Sequence, residues 1–466
     1  MKIKLKNLGA LKLAEFELGD LTIVCGGNNT GKTYATYALY GFLVFWRDVY
    51  SIPVPSHYID ALLSNGSVRL PLQDFIMRRN EFLKQASEQY SKSLAFVFAA
   101  NKKNFENTEV HFELDAPNEC PSSEFLRQFG TSKKQIFSVI KAKNSSELEV
   151  TLLVQTGEEE LDPKGIHQII GDALQDVLFG HLFPRPFIAS AERTGAAIFR
   201  KELNFARNRL LEEVGSMDQD LNPFQLINKV YSDYAMPVKH NVDFARQIED
   251  VAKKESFIAH DHPALLEQFS EIIGGSYKVT SNDELYFVPD GNRRIRLTMD
   301  ESSSAVRSML DIGFYLKHVA KTGDLLIVDE PELNLHPENQ RRVARLFARL
   351  VNIGVNVYLT THSDYIIKEL NTVIMMSNSS TLIRGIRVEE GYVEEELLTS
   401  DQVRVYIAEK QLLLLDGNKK RTPCQTLVPA DVDSELGIEA RSFDTTIDEM
   451  NRIQEALYFT MEGEDV

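Results

Sequence analysis

The sequence predicts an α/β fold in which a mixed sheet is interrupted by a helical insertion. Three stretches support this prediction. In residues 21–46, a short apolar strand leads into a glycine-rich loop and then into a helix. Helix and strand patterns alternate over residues 310–370, which is typical of a mostly parallel sheet. Residues 199–274 are poor in glycine and rich in leucine, phenylalanine and charged residues, which indicates helices.

Local patterns place the individual elements. Alternating apolar residues with breaks at Gly9 and Gly19 predict strands near the N-terminus, and apolar spacing after residue 33 predicts a helix with one buried face. The expected strands are Lys2–Leu5, Ala14–Leu18, Leu21–Cys25, Glu109–Leu114, Glu147–Gln155, Pro184–Ala189, Tyr277–Thr280, Glu284–Val288, Ile295–Met299, Leu325–Val328 and Val355–Leu359. The expected helices are Tyr34–Trp46, Leu72–Tyr90, Ile166–Phe179, Leu310–Val319, Asn339–Leu350 and Asp364–Leu370. A turn at Pro289–Asn292 is expected to join Glu284–Val288 to Ile295–Met299 as a hairpin.

Composition limits the classes of protein. The chain has 466 residues, 43% of them hydrophobic, and a formal net charge of −17, as expected for a globular protein. The acidic balance argues against a general nucleic-acid coat, because phosphate contacts need clustered Lys and Arg, but it leaves a local basic groove open. Cys25, Cys120 and Cys424 are odd in number and far apart, which argues against a disulfide framework. No apolar run approaches the ~18 residues of a membrane span. We therefore expect a cytoplasmic protein without a membrane partner.

The loop Gly26–Thr33 reads Gly-Gly-Asn-Asn-Thr-Gly-Lys-Thr. Gly-x4-Gly-Lys-Thr between a strand and a helix is the phosphate-binding loop pattern. Its glycines let successive N–H groups turn inward as an anion nest, and the helix start adds to that field. Lys32 is expected to reach the β- and γ-phosphates of ATP, and Thr33 to ligate Mg²⁺. The expected nucleotide contacts are Gly26, Asn28, Asn29, Thr30, Gly31, Lys32 and Thr33.

A second signal is the apolar run 325–328 followed by Asp329 and Glu330. Two carboxylates at the carboxyl end of a buried strand lie where parallel sheets bind ligands. We expect Asp329 to hold Mg²⁺ and Glu330 to orient and activate an attacking water, because phosphoryl transfer depends mainly on positioning and charge neutralisation. A third signal, Thr360-Thr361-His362-Ser363, follows the next strand. A histidine there can hydrogen-bond a γ-phosphate, so His362 is the second expected catalytic residue.

Together these segments resemble the ATP-binding-cassette (ABC) ATPase head, a P-loop NTPase. Asp329–Pro337, which reads Asp-Glu-Pro-Glu-Leu-Asn-Leu-His-Pro, is more closely similar to the compact ATPases of the overcoming-lysogenization-defect and AAA-fifteen group. The N-terminal run through Lys32 and the stretch 437–458 resemble the same group. The resemblance implies a head whose first part, residues 1–198, carries the phosphate loop. Residues 199–274 would be the helical insertion. Residues 275–466 would carry a serine-rich signature segment, the strand that ends in Asp329 and Glu330, and His362, which acts as the switch histidine in this family.

Heads of this family pair around ATP, so the resemblance implies a homo-oligomer built from ATP-sandwich head dimers. One head supplies the phosphate loop and the other a serine-rich signature at a helix start. Ser302-Ser303-Ser304-Ala305 stands where that signature belongs, although the family usually has glycine at the position of Ala305. Ser304 is the residue expected to contact the nucleotide. Glu192-Arg193-Thr194-Gly195 resembles a further family segment, and the role of Arg193 stays open between structure and function.

Size and pattern resemble the AriA family, the ATPase subunits of the PARIS anti-phage system, whose separate AriB partner is a Toprim nuclease. Asp431-Val432-Asp433 has a Toprim-like spacing, but we expect no Toprim fold in residues 434–466. The resemblance implies an ATP-loaded scaffold that holds the nuclease inactive until a phage protein, typically an anti-restriction protein, triggers its release. Three alternatives stay open: the ATPase of a Septu-like or retron-linked defence system, a recombination or structural-maintenance ATPase that clamps DNA, and a scaffold that binds ATP but turns it over very slowly.

Two further features could each have either a purely structural role or a binding role. Arg341, Arg345 and Arg349 recur every four residues and form a basic stripe on a predicted helix. The stripe is either a solvated face or a contact for a neighbouring subunit, nucleic acid or an acidic trigger protein. His260-Asp261-His262 could ligate a metal, but a solvated loop is the preferred interpretation because no further ligand cluster is evident.

Overall fold

The computed structural model describes residues 1–115, 117, 119–131, 134–153, 163–199, 234–280, 284–292, 294–415, 420–439 and 449–456. The strands of this part of the chain, β1 to β17 in order, are Lys2–Leu8, Leu11–Glu17, Leu21–Cys25, Ser67–Pro71, Glu109–Glu113, Phe125–Thr131, Lys134–Lys141, Glu147–Leu152, Pro186–Ala189, Gly275–Val279, Leu285–Pro289, Leu325–Asp329, Asn356–Thr361, Val403–Leu413, Thr422–Ala430, Val432–Asp433 and Gly437–Ile438. The helices, α1 to α15, are Lys32–Asp48, Ser56–Asn65, Leu72–Met77, Arg79–Val97, Pro163–Phe179, Arg193–Ile198, Met236–Arg246, Ile248–Val251, Phe257–Asp261, Pro263–Ile273, Ser304–Ser308, Leu310–Phe314, Pro337–Asn352, Asp364–Met375 and Thr381–Glu389. Tyr315–Val319 continues α12 as a π-helix, and short 3₁₀ turns lie at Lys102–Phe105, Glu394–Glu396 and Ser400–Gln402.

The chain folds as two compact units. The first comprises Met1–Ile3, Gly41–Lys92 and Val110–Arg185. The second comprises Lys4–Tyr40, Ser93–Glu109 and Pro186–Val466. Helix α1 begins in the second unit, and its residues from Gly41 onward belong to the first. The division of the chain at residues 199 and 274 stays a prediction, because residues 200–233 lie outside the described part.

The first unit contains an antiparallel sheet in the order β4-β8-β7-β6. Its apolar pairs face each other across the strands, for example Val139 opposite Val150. The unit's helices bury an aromatic cluster around Trp46, whose ring lies 4.7 Å from that of Phe179 and 4.8 Å from that of Phe183. The expected helix Leu72–Tyr90 is present as two helices that meet at Arg78. The β6–β7 hairpin was not predicted.

The second unit is built on a mixed sheet, in which strands run in the order β1-β2-β15-β14-β3-β13-β12-β9. Strands β9, β12, β13, β3 and β14 are parallel, and β15 is antiparallel to β14. Strands β3 and β12 are buried along their whole length. Because β3, β12 and β13 are parallel, the loops that follow them lie at one edge of the sheet. The predicted α/β class with a mixed sheet is confirmed.

Two features of this unit differ from the sequence interpretation. The expected hairpin between Glu284–Val288 and Ile295–Met299 is wrong: β11 pairs with β10, and Leu297 makes only a single bridge to Phe287. Strands β14 and β15 were not predicted, although β14 lies next to the strand that leads into the phosphate loop. Among the described residues, no helix combines the length and apolarity needed to cross a membrane.

Candidate nucleotide site

The loop after β3 has the backbone that its glycines predict. Gly26 has a φ of +132° and Gly31 a φ of +101°, a region that side chains rarely adopt. A Cβ at Gly26 would lie 2.7 Å from the carbonyl oxygen of Ala408 on β14, and a Cβ at Gly31 would lie 2.7 Å from the Cγ of Leu11. Neighbouring strands therefore enclose the loop so closely that only glycine fits at these two positions.

Lys32 folds back over this loop. Its Nζ donates to the carbonyl oxygens of Gly26 at 3.1 Å and Gly27 at 2.8 Å. Burial lowers the pKa of Lys32, and the carboxylates that follow β12, Glu330 first, oppose that shift. The ammonium group thus contacts the loop carbonyl oxygens and interacts electrostatically with the carboxylates, and its expected contact with phosphate stays a prediction.

The other loop residues are more open. Asn28, Asn29 and Thr33 are exposed, Asn29 has a φ of +60°, and the Thr30 hydroxyl donates to the Gly27 carbonyl oxygen at 2.8 Å. These exposed side chains can be reached by a ligand bound over the loop.

Asp329 ends strand β12 with its side chain buried. Its Oδ1 accepts a hydrogen bond from the Thr360 hydroxyl on β13, and its Oδ2 is buried without a hydrogen-bond partner in the described residues. Burial raises the pKa of this carboxyl to about 6. An unsatisfied buried carboxylate oxygen is costly, and a divalent cation would satisfy it. Mg²⁺ needs only one or two protein oxygens beside phosphate and water, so Asp329 and the exposed Thr33 hydroxyl fit this ion.

Glu330 and His362, the two expected catalytic residues, lie next to each other. Glu330 Oε1 lies 3.4 Å from His362 Nε2, and this neighbour holds the pKa of Glu330 below its usual range. Glu332 Oε1 accepts from the backbone N–H of His362 at 2.6 Å and so fixes the loop that carries the histidine. Glu330 also has a φ of +52°, an uncommon conformation for this residue type, of the kind that clusters at functional sites.

Ser304 lies on a different element from these residues. It is the first residue of α11, and the helix is capped by its neighbour Ser303, whose Oγ accepts from Val306 N at 3.3 Å. In the part of the chain that the structure describes, the Ser304 side chain makes no hydrogen bond, and it is partly exposed. Its proposed contact with nucleotide stays a prediction.

Arg193, whose role the sequence left open, is fully buried at 1% exposure. Its guanidinium donates to four backbone carbonyl oxygens, those of Ser308 (2.7 Å), Ser190 (2.8 Å), Asp329 (2.6 Å) and Glu330 (2.9 Å). Burial lowers its pKa. The residue therefore holds both carboxylate-bearing positions by their backbone.

Glu192, its neighbour, was not assigned from the sequence. Its Oε2 accepts from the Tyr37 hydroxyl at 3.0 Å, and its charge helps to raise the pKa of Asp329. Glu192 and Arg193 both follow β9, which pairs in parallel with β12. The cue in the sequence was an acidic and basic pair directly after a strand.

The model of the AAA ATPase domain family, AAA_15, matches residues 1–367. The chain belongs to this family. No curated protein matches it. Solved structures similar to this AAA ATPase domain include an SMC head bound to the C-terminal winged-helix domain of ScpA, with 11% identity, 92% of this chain and 97% of that chain covered, and a TM-score of 0.34. The SMC head domain from Thermotoga maritima has 10% identity, coverages of 92% and 98%, and a TM-score of 0.30. An Smc head domain from Pyrococcus furiosus with an extended coiled coil, bound to the C-terminal domain of ScpA, has 13% identity, coverages of 97% and 98%, and a TM-score of 0.31.

The arginine stripe of this AAA ATPase domain is internally paired. Arg341 Nε lies 2.6 Å and Arg345 Nε 2.7 Å from the carboxylate of Glu369, which is buried. Arg345 also stacks over the ring of Tyr392 at 4.4 Å, and Arg349 donates to Gln268 Oε1 at 2.9 Å. The stripe therefore joins α13 to its neighbours, although Arg341 keeps 40% of its side chain exposed. Its role as a contact for another subunit, nucleic acid or a trigger protein stays a prediction.

Two other candidates also have structural partners. Asp433 of the Toprim-like Asp-Val-Asp accepts from the backbone N–H groups of Glu435 at 2.7 Å and Leu436 at 3.0 Å, so it stabilises a turn. His260 is exposed and its Nδ1 pairs with Asp261 at 2.6 Å. Within the described residues, no group of three or more His, Cys, Asp and Glu side chains could hold a metal ion.

Proposed function

We propose that this AAA ATPase domain binds and hydrolyses ATP as a switch that controls assembly with a second copy. The observation that supports it best is the pairing of Glu330 with His362 at 3.4 Å. This pair follows β12 and β13, and β13 adjoins the strand that leads into the phosphate loop. A carboxylate whose pKa lies below its usual range stays ionised at neutral pH and can orient a water.

Each residue then has a distinct task. The loop N–H groups and Lys32 bind the phosphates, and Asp329 with Thr33 would hold Mg²⁺. When bound, Mg²⁺ supplies charge neutralisation at the β- and γ-phosphates. Glu330 orients the attacking water and takes its proton, and His362 senses the γ-phosphate through a hydrogen bond. Hydrogen bonds to Thr360 and Arg193 hold the Glu330 backbone at its positive φ before substrate arrives.

The second copy completes the site in this proposal. Ser304 lies at a helix start, partly exposed and without a side-chain partner among the described residues. It would meet the γ-phosphate on the loop of the other head. Glu330→Gln with ATP and Mg²⁺ should therefore accumulate a dimer, because ATP stays bound and uncleaved.

Light scattering tests the dimer. The Glu330→Gln protein is expected to be dimeric with ATP and monomeric without it, and Ser304→Arg added to it should abolish the dimer while leaving ATP affinity within about twofold. Ser377→Arg, on a partly exposed serine just after α14, serves as the matched control. A Glu330→Gln protein that hydrolyses ATP at the wild-type rate would refute the assignment.

At the finer level, we propose that the switch is the sensor and scaffold of an anti-phage defence complex that sequesters a separate Toprim nuclease. The support is the resemblance of the motifs to the AriA family. Co-expression with a Toprim protein encoded beside this chain should yield an ATP-dependent complex that Lys32→Ala disrupts, and a phage anti-restriction protein should release the nuclease. A complex with a different nuclease would favour a Septu- or retron-type system. Salt-dependent DNA binding by the chain alone would favour a DNA clamp instead.

A further inference from the structure

Arg193 connects two parts of the second unit that the proposed function uses separately. One is the end of β12, where the guanidinium contacts the carbonyl oxygens of Asp329 and Glu330. The other is the short helix α11, where Arg193 Nε donates to the carbonyl oxygen of Ser308 at 2.7 Å. A single buried side chain thus joins the helix that begins at Ser304 to the backbone that carries the hydrolytic carboxylate.

A second contact reinforces this connection. The Ser308 hydroxyl donates to the carbonyl oxygens of Ala305 at 3.0 Å and Leu333 at 3.1 Å. Leu333 lies three residues after Glu330, in the loop that follows β12. Helix α11 has only five residues, so a displacement at its first residue reaches its last one directly.

The backbone of Glu330 responds to such a displacement because it is held on both sides. Its N–H donates to the Thr360 carbonyl oxygen at 3.1 Å, and its own carbonyl oxygen accepts from Arg193 at 2.9 Å. Between these two bonds the residue keeps a φ of +52°. An uncommon conformation persists only where the surroundings hold it. A shift of the guanidinium would therefore alter the direction of the Glu330 side chain.

No other residue type can reproduce the contacts of the Arg193 guanidinium. All four acceptors of Arg193 are neutral carbonyl oxygens, which belong to three separate segments of the chain. A lysine keeps the positive charge but has no planar fork to reach acceptors in three segments at once. Arg193→Lys therefore removes the connection while keeping the charge.

We propose that Arg193 is a positioning residue that couples the two nucleotide sites of a head dimer. The inference rests on the proposed function, in which Ser304 of one head contacts the nucleotide held by the other. Engagement of Ser304 moves α11, Arg193 passes that movement to the Glu330 backbone of the same head, and the carboxylate is then aligned for its own nucleotide. Occupancy of one site thereby activates the other.

The first test is the dependence of hydrolysis on ATP concentration. Wild type is expected to show a Hill coefficient clearly above 1. Arg193→Lys should show a clearly lower coefficient, because only the cooperativity of ATP-driven assembly remains, with direct ATP binding within about twofold of wild type. Ser308→Ala, which removes the second contact without touching the guanidinium, should lower the coefficient in the same direction. Arg246→Lys is the matched control, because Arg246 is also a largely buried arginine, 3.2 Å from Asp243, and it should keep the wild-type coefficient.

Mixed dimers give the second test. When one protomer carries Lys32→Ala, only the other protomer's loop binds ATP, and the wild-type protomer should hydrolyse at least fivefold more slowly per site than in the wild-type dimer. An Arg193→Lys protomer should hydrolyse at the same rate per site whether its partner in the dimer binds ATP or carries Lys32→Ala.

The outcomes separate the two proposals. If Lys32→Ala or Glu330→Gln leaves hydrolysis intact, the proposed function fails. If those variants behave as proposed but wild type has a Hill coefficient of 1, or Arg193→Lys or Ser308→Ala keeps the wild-type coefficient, only the coupling is overturned. If Arg193→Lys does not fold, Ser308→Ala decides.

Discussion

The phosphate loop and the carboxylate end of β12 are assembled in opposite ways. The loop is one contiguous run, Gly26–Thr33, and its conformation depends mainly on its own glycines. The carboxylate end depends on partners far away in the sequence. Arg193 donates to the backbone carbonyl oxygens of Asp329 and Glu330. The Thr360 hydroxyl accepts from the Glu330 N–H and donates to the Asp329 carboxylate. A contiguous site can be identified from its motif. For a site assembled from distant segments, the sequence gives the types of side chain but not the contacts that orient them.

The largest expected effect tests the loop. Lys32→Ala removes the ammonium that donates to the loop carbonyl oxygens and interacts electrostatically with the carboxylates. ATP affinity should fall about 100-fold, or ~2.7 kcal/mol, because a charge-assisted contact to phosphate is lost. Calorimetric titration measures it, with circular dichroism as the control for folding. Unchanged affinity would show that the loop does not bind the nucleotide.

A smaller effect is expected from the loop's backbone. Gly31→Ala places a Cβ against Leu11 at a φ of +101°, which should cost ~1–3 kcal/mol of unfolding free energy. Gly195→Ala is the matched control, because a Cβ at Gly195 meets nothing within 4 Å. Chemical denaturation compares the two, and equal stabilities would mean that the loop adapts to a side chain.

The stability of the fold should respond to pH through Asp311 on α12. Burial raises the pKa of this carboxyl to about 7, above the ~4 of an unfolded chain. The folded state therefore binds its proton more tightly, and the stability it contributes is present below about pH 4 and is lost as pH rises through about 7. The unfolding free energy of wild type minus that of Asp311→Asn should fall across this window by up to ~1.4 kcal/mol per pH unit. A difference that does not change with pH would contradict a neutral Asp311.

The smallest effect concerns the helix that Arg193 contacts. Ser303→Ala removes the cap on α11 and should cost ~1 kcal/mol of stability, while Ser303→Asp, which also caps, should restore most of it. Thermal denaturation measures both variants. No loss with alanine would mean that the packing of α11, and not its cap, holds the helix in place.

Much of the second unit could be predicted because its signals are local. The buried runs of β3 and β12 and the glycine spacing were sufficient to locate Lys32, Asp329 and Glu330. The four acceptors of Arg193 could not be predicted, because carbonyl oxygens belong to every residue and leave no trace in the sequence. The pairing of Arg341 and Arg345 with Glu369 was missed for a related reason: a basic stripe looks the same whether its partner is water or a buried carboxylate.

Trp46 gives the molecule a built-in optical reporter. It is the only tryptophan in the chain, and its ring lies among Tyr50, Phe179 and Phe183, all of the first unit. Intrinsic emission excited at long wavelength therefore reports on the first unit alone. Protection from proteolysis by ATP would report on the second. If the two signals change at different denaturant concentrations, the units unfold separately, and one melting temperature cannot describe the protein.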